Sequence, residues 1–242
     1  MDIEDLHSWP DSVEEAEALQ ERLRDRVREE PGPAVVRTVA GLDVAYGSHS
    51  DEAVAAAVVV LDAATLRVVE SAVAVERPSF PYVPGLFAFR ELPALLSALR
   101  KLRATPDLLV CDGHGRAHFR RFGLACHLGL LTGLPAVGVG KTFLVGEHVE
   151  PGRERGSFTD LVHEGEVVGR TLRTQTGVKP VYVSVGHRVD LDTATRHVLA
   201  LSPSYRLPET TRQSDRLSRA ALRERESDPA SAPPPAAAPR GR

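Results

Sequence analysis

The chain has 242 residues, 42% apolar and 26% charged, which is enough for one good-sized core and excludes a disordered or fibrous chain. A net charge of -3 and a pI near 6.3 give no global basic face, so any contact with nucleic acid must be local and metal-assisted. No apolar run reaches the ~18 residues needed to span a bilayer, and the N-terminus is acidic, not a basic leader, so a cytoplasmic protein with no membrane partner is expected.

Residues 11–30 place Val13, Ala16, Leu19 or Gln20, Leu23 and Val27 at helical spacing, with Asp11 or Ser12 as N-cap and Glu15 completing a capping box. Pro31-Gly32-Pro33 ends that helix. Residues 34–46 form a β-rich run interrupted by Asp43, which period-2 counting puts on a face with Val35, Val39 and Gly41. An aspartate on such a face either turns to water at a strand end or is held by something that binds it. Strands over Ala53–Leu61 and Leu66–Glu76, joined by the turn Asp62–Thr65, complete an antiparallel meander.

The prolines of Phe80-Pro81-Tyr82-Val83-Pro84-Gly85 stiffen an extended loop. Tyr82 there either packs on the domain or acts as a wedge in a base stack. A helix follows to about Leu102, and Glu91 stands where it starts. Leu108–Cys111 reads as a buried strand that ends in Asp112, then Gly113 and Gly115, with a helix expected over Arg116–Leu131 and His118 on its first turn. Leu134–Gly140 is a second buried strand, delivering Lys141 at its end. Strand, helix, strand is a parallel crossover, with Asp112 and Lys141 on one rim.

Three phosphate- or metal-binding motifs fail on this unit. A Walker A loop needs glycine where Pro135 stands, a dinucleotide fingerprint needs glycine at His118, and a zinc-protease helix needs glutamate at Gly115. What remains is an Asp, a Lys and a His gathered at a sheet edge, the edge where ligands bind in open α/β folds. The two cysteines, Cys111 and Cys126, lack CxxC spacing and suit buried thiols in a reducing compartment.

Downstream, residues 143–173 alternate strand and turn, Pro180–Val185 is a buried strand, and Gly186-His187 is a turn before a helix near Leu191. A last helix, about Pro208 to Arg225, carries Asp215 among Arg212, Arg216 and Arg219, by itself a solvated ion-paired face. Residues 1–225 are expected to form one domain and 226–242, rich in Pro and Ala, a disordered tail. The element order gives the fold class: an α/β, ribonuclease H-like mixed sheet, three antiparallel strands plus parallel ones, flanked by helices. In such a sheet the first and fourth strands are neighbours ~4.8 Å apart, so Asp43 and Asp112 converge.

Val39-Ala-Gly-Leu-Asp43, Pro81-Tyr-Val-Pro-Gly85 with Arg90-Glu91, Asp112-Gly-His-Gly-Arg-Ala-His118, Gly123-Leu-Ala-Cys-His-Leu-Gly129 and Gly138-Val-Gly-Lys141 together resemble the endonuclease V family over about residues 12–222. His114 and Phe119 stand where many relatives have Gln and Pro, and neither change adds or removes an acidic ligand. The resemblance implies a DNA-repair endonuclease that nicks DNA at the second phosphodiester 3′ of deoxyinosine, using Mg²⁺ with Mn²⁺ as substitute. Inosine-containing RNA is the alternative substrate, and a non-catalytic lesion-binding module the alternative function. The implied metal ligands are Asp43, Glu91 and Asp112, with Lys141, His118 and Asp215 as further catalytic residues. Pro81, Tyr82, Val83, Pro84, Gly85, Gly113 and Gly115 are the implied contacts to the substrate, and a monomer is expected.

Overall fold

The computed structural model describes residues 3–47 and 53–227. Eight strands form one sheet in the order β3-β2-β1-β4-β5-β8-β7-β6. The meander is β1 (Thr38–Tyr46), β2 (Val54–Asp62) and β3 (Val68–Glu76), all antiparallel. Strands β4 (Leu108–Asp112) and β5 (Ala136–Gly140) then run parallel to β1, in the order β1, β4, β5. Beyond them β6 (Phe158–His163), β7 (Glu166–Leu172) and β8 (Val181–His187) form an antiparallel extension, which joins the sheet through β5 and β8. This is the ribonuclease H-like mixed sheet that the element order predicts, with β1 and β4 as neighbours.

Helices cover both faces because the central strands are apolar on both. Ala40, Leu42, Leu109 and Cys111 face α2 (Phe87–Arg100) and α3 (Leu124–Thr132), whereas Val39, Leu108 and Val110 face the layer of α4 (Leu191–Ala200) and α5 (Glu209–Ser227). Helix α1 (Val13–Arg24) closes over Phe80, Leu86, Phe89 and Phe122 at the rim of the first layer. Ser12 caps α1 by accepting from the Glu15 N–H, the start expected from the sequence. Both cysteines are buried and unpaired.

Five expectations are corrected. Helix α1 stops at Arg24, six residues short of the predicted Glu30, because the chain extends so that the Arg28 N–H can reach His187 Nδ1 and its carbonyl can accept from Arg188. Helix α2 starts at Phe87, not near Glu91, which therefore lies in its second turn, with Pro93 inside the helix. The helix expected from Arg116 begins only at Leu124. Residues 113–123 are instead a loop held to β8: the Gly115 N–H donates to Ser184 Oγ at 2.8 Å and the Arg116 N–H to the Val185 carbonyl at 2.8 Å. His118 is thus a loop residue. His187 lies inside β8, not in a turn, and Val35, 65% exposed, lies outside β1. The predicted tail falls almost wholly on residues 228–242, outside the described residues, while Glu226 and Ser227 end α5.

Candidate active site

One residue beyond the last β1–β4 pairing, Leu42 with Cys111, come Asp43 and Asp112. Both strands run the same way, so the two carboxyl groups emerge side by side, near enough for Asp112 to raise the Asp43 pKa. Two ionised carboxylates so placed repel. The Asp43 pKa is raised by burial first and then by the nearness and charge of Asp112; the Ser218 hydroxyl, donating to Asp43 Oδ2 at 2.7 Å, and Lys141 oppose the shift. Lys141, one residue past β5, places Nζ 2.5 Å from Asp112 Oδ2. Burial works against its charge, yet Asp112, Asp43 and Asp215 outweigh it and raise the ammonium pKa.

Glu91 reaches the cluster from α2. Burial raises its pKa to about 7, and the charge of Asp112 adds to that, while the hydrogen bond from the Tyr46 hydroxyl to Oε1 pulls the other way. Asp215, on α5, is ion-paired with Arg219 at 3.0 Å and shares with Asp43, Tyr46, Arg219 and Arg223 the lining of a groove along that helix. The structure therefore draws Asp43, Asp112, Lys141, Glu91 and Asp215 to one end of the central strands.

The hard carboxylate oxygens here suit a divalent cation, and the repulsion that Asp112 exerts on a buried Asp43 is the strain that such an ion would relieve. Among the described residues no three His, Cys, Asp or Glu side chains already stand as an ion-holding group. Two aspartates are in contact, and the third carboxylate is engaged by Tyr46.

On the other side of the acids lies a second cleft, lined by Gly85, Phe87, Glu91, Asp112, Gly113, His114 and His118 among others. The loop Phe80–Leu86 reaches it through Gly85. Gly85 adopts φ +82°, a left-handed conformation that favours glycine, and its carbonyl accepts from Gln20 Nε2 at 3.0 Å and from His118 Nε2 at 2.8 Å. The second ring nitrogen of His118 accepts from the Arg120 N–H. Burial lowers the His118 pKa to about 4, so it is a neutral imidazole that fixes the loop. Tyr82, 58% exposed, rests on Phe87 with ring centroids 4.5 Å apart, flanked by exposed Pro81 and Pro84 and partly buried Val83. Gly115 turns away from this cleft: a Cβ there would lie 2.0 Å from the Val185 carbonyl, so its glycine serves the packing of the loop on β8.

Three contributors escape sequence reading. Tyr46 and Ser218 bond to the acids from 45 and 175 residues away, distances at which no local pattern signals a contact. Gln20 does carry a signal, a polar residue on the apolar stripe of α1, where it is fully buried.

The family description Endonuclease V matches residues 21–216. The chain is 62% identical over 215 residues to Endonuclease V of Nocardia farcinica, a match covering 88% of this chain and 94% of that protein. It is similar to the crystal structure of Endonuclease V from Streptomyces avermitilis with a TM-score of 0.87 at 57% identity, covering 91% of this chain and 97% of that one. A further likeness is to Ciona intestinalis Endonuclease V in complex with a 24mer DNA containing an inosine followed by a ribo-adenosine, at a TM-score of 0.79 and 29% identity over 88% of this chain and 98% of that one.

Proposed function

The chain belongs to the endonuclease V family and is a nuclease, a hydrolase acting on DNA, and from that premise we propose that it nicks DNA at the second phosphodiester 3′ of a deoxyinosine, in repair of that lesion. The observation that carries this reading is the meeting of Asp43, Asp112 and the Lys141 ammonium where neighbouring parallel strands end. The inosine-containing DNA bound by the Ciona relative supports the substrate.

Asp43 and Asp112, with Glu91 as third donor, would hold Mg²⁺, or Mn²⁺ in its place. Such an ion supplies neutralisation of phosphate charge and a lowered pKa for an attacking water. Lys141 brings a fixed positive charge to the scissile phosphate. Asp215, at the α5 side of the same acids, accepts a hydrogen bond from the attacking water and orients it. Tyr82, exposed on a proline-stiffened loop, fills the gap in the stack when the inosine swings out. The cleft behind it, with backbone of Gly85 and Gly113 on its walls, receives the base; Pro81, Val83 and Pro84 hold the loop in shape. Exposed Arg216 and Arg223 on α5 supply the local positive charge that the chain's net charge lacks. The protein acts as a monomer in the cytoplasm, consistent with two buried, unpaired cysteines.

The test is cleavage of end-labelled oligonucleotides with a single inosine, one DNA and one RNA, in Mg²⁺, in Mn²⁺ and in chelator, by wild type and Asp43→Ala. Nicking of the DNA one phosphodiester beyond the inosine's own 3′ bond, lost in chelator and in the variant, is the expected result. Faster cleavage of the RNA would move the substrate, and binding without cleavage in either metal would overturn the nuclease mechanism.

A further inference from the structure

Tyr46 ends β1, three residues after Asp43 and on the strand that carries it. Its hydroxyl donates to Glu91 Oε1, a bond that joins β1 to the second turn of α2. The other oxygen, Oε2, accepts no hydrogen bond from a described residue. The ring that carries the hydroxyl is itself fixed from two sides. The Arg90 guanidinium carbon lies 5.4 Å from its centroid, and Tyr82 meets it edge-on at 6.1 Å and 85°. Arg90 in turn is anchored by donating to the Phe80 carbonyl at 2.7 Å. A half-buried phenol held this firmly does not swing with solvent, so it dictates which way the Glu91 carboxylate turns.

From this geometry we infer that Tyr46 is the positioning residue for Glu91, clamping Oε1 so that Oε2 is presented to a divalent cation on Asp43 and Asp112. The inference rests on the proposed role of Glu91 as third ligand. A carboxylate with one oxygen already bonded loses little rotational freedom when its other oxygen takes an ion, which is how outer partners of ligands raise affinity. The alternative role is a strap between β1 and α2 that stabilises the fold and leaves the ion untouched.

Thermal unfolding of the full chain against Mn²⁺ concentration, with no nucleic acid present, separates the two. Four proteins are compared: wild type, Tyr46→Phe, Glu91→Gln and the double variant. Tyr46→Phe keeps the ring for Arg90 and Tyr82 and removes only the donor. It is expected to raise the half-saturating Mn²⁺ about 10- to 100-fold. In the Glu91→Gln background the same change should add nothing, because Tyr46 acts through Glu91. A Tyr46→Phe midpoint equal to wild type, or shifts that add in the double variant, would leave only the strap. A wild type that Mn²⁺ fails to stabilise at all would remove the metal site itself, and the inference with it.

Discussion

The two ends of the β1–β4 pair carry aspartates in opposite circumstances. At the end where both strands begin, Asp107 Oδ2 accepts from the N–H groups of Arg37 at 2.8 Å and Thr38 at 3.0 Å, and from the Thr38 hydroxyl at 3.3 Å. Burial there pushes the Asp107 pKa upward, but the Thr38 and Arg37 N–H groups prevail and hold it below the usual carboxylate range. Where the strands end, Asp43 faces Asp112, with the Ser218 hydroxyl and the Lys141 ammonium as the opposing influences, and its pKa rises. One pair of strands therefore holds one carboxylate as a contented anion and another as a frustrated one. Charge that the fold does not itself satisfy marks where a ligand belongs.

The largest effects should come from breaking the frustrated end. Asp43→Asn or Asp112→Asn is expected to reduce cleavage of inosine DNA on the order of 10³-fold, judged by removal of a charge-stabilising group from comparable sites. Asp43→Asn should also melt a few degrees higher than wild type in chelator, since it removes the destabilised carboxylate at nearly constant shape. Saturating Mn²⁺ should reverse the order, because only wild type gains ion-binding energy. Calorimetry in chelator and in Mn²⁺ checks this; a variant that melts lower than wild type in chelator would mean that the acids are not in conflict.

Much of this frustration was legible in the sequence. Asp43 breaks an apolar run and Asp112 ends one, and element order alone made their strands neighbours. The satisfied end was not, because Asp107 gains its partners only when β1 and β4 meet across 69 residues. The same limit hid the loop at 113–123. Phe119, Phe122, Ala125 and Cys126 keep helical spacing, yet hydrogen bonds to Ser184 and Val185 on β8 override it up to Leu124. Glu91, expected where α2 starts, lies in its second turn, and Tyr46, in plain view three residues from Asp43, gave no sign of its bond to Glu91.

Breaking the satisfied end should have a middling effect of a different kind. Asp107→Ala leaves the Arg37 and Thr38 N–H groups without their acceptor and is expected to destabilise the fold by about 1–3 kcal/mol, read as a lower denaturant midpoint. Cleavage per folded molecule should stay within about twofold of wild type, as the site lies at the other end of the strands. Loss of activity as severe as in Asp43→Asn would erase the distinction between the two ends.

The smallest effect sharpens the comparison through pH. In chelator, Glu91 binds its proton with a pKa of about 7 in the folded chain against 4.5 unfolded, and Asp43 with one of about 8 against 3.8, so folding holds extra protons in that window and the stability they confer is lost as pH rises through about 7 to 8. The histidines behave in the opposite sense. Burial lowers His114, His118 and His187 to about 4 from 6.5, so the unfolded chain takes up more protons and stability falls as pH drops below 6.5 toward 4. The melting temperature in chelator should accordingly peak between the two limbs, near pH 6.5–7, and decline by a few degrees on the alkaline side. Bound Mn²⁺ competes with the protons on the acids and should abolish that alkaline decline, while leaving the acid limb set by His114, His118 and His187. A decline above pH 7 that survives saturating Mn²⁺ would have to arise elsewhere than at Asp43 and Glu91.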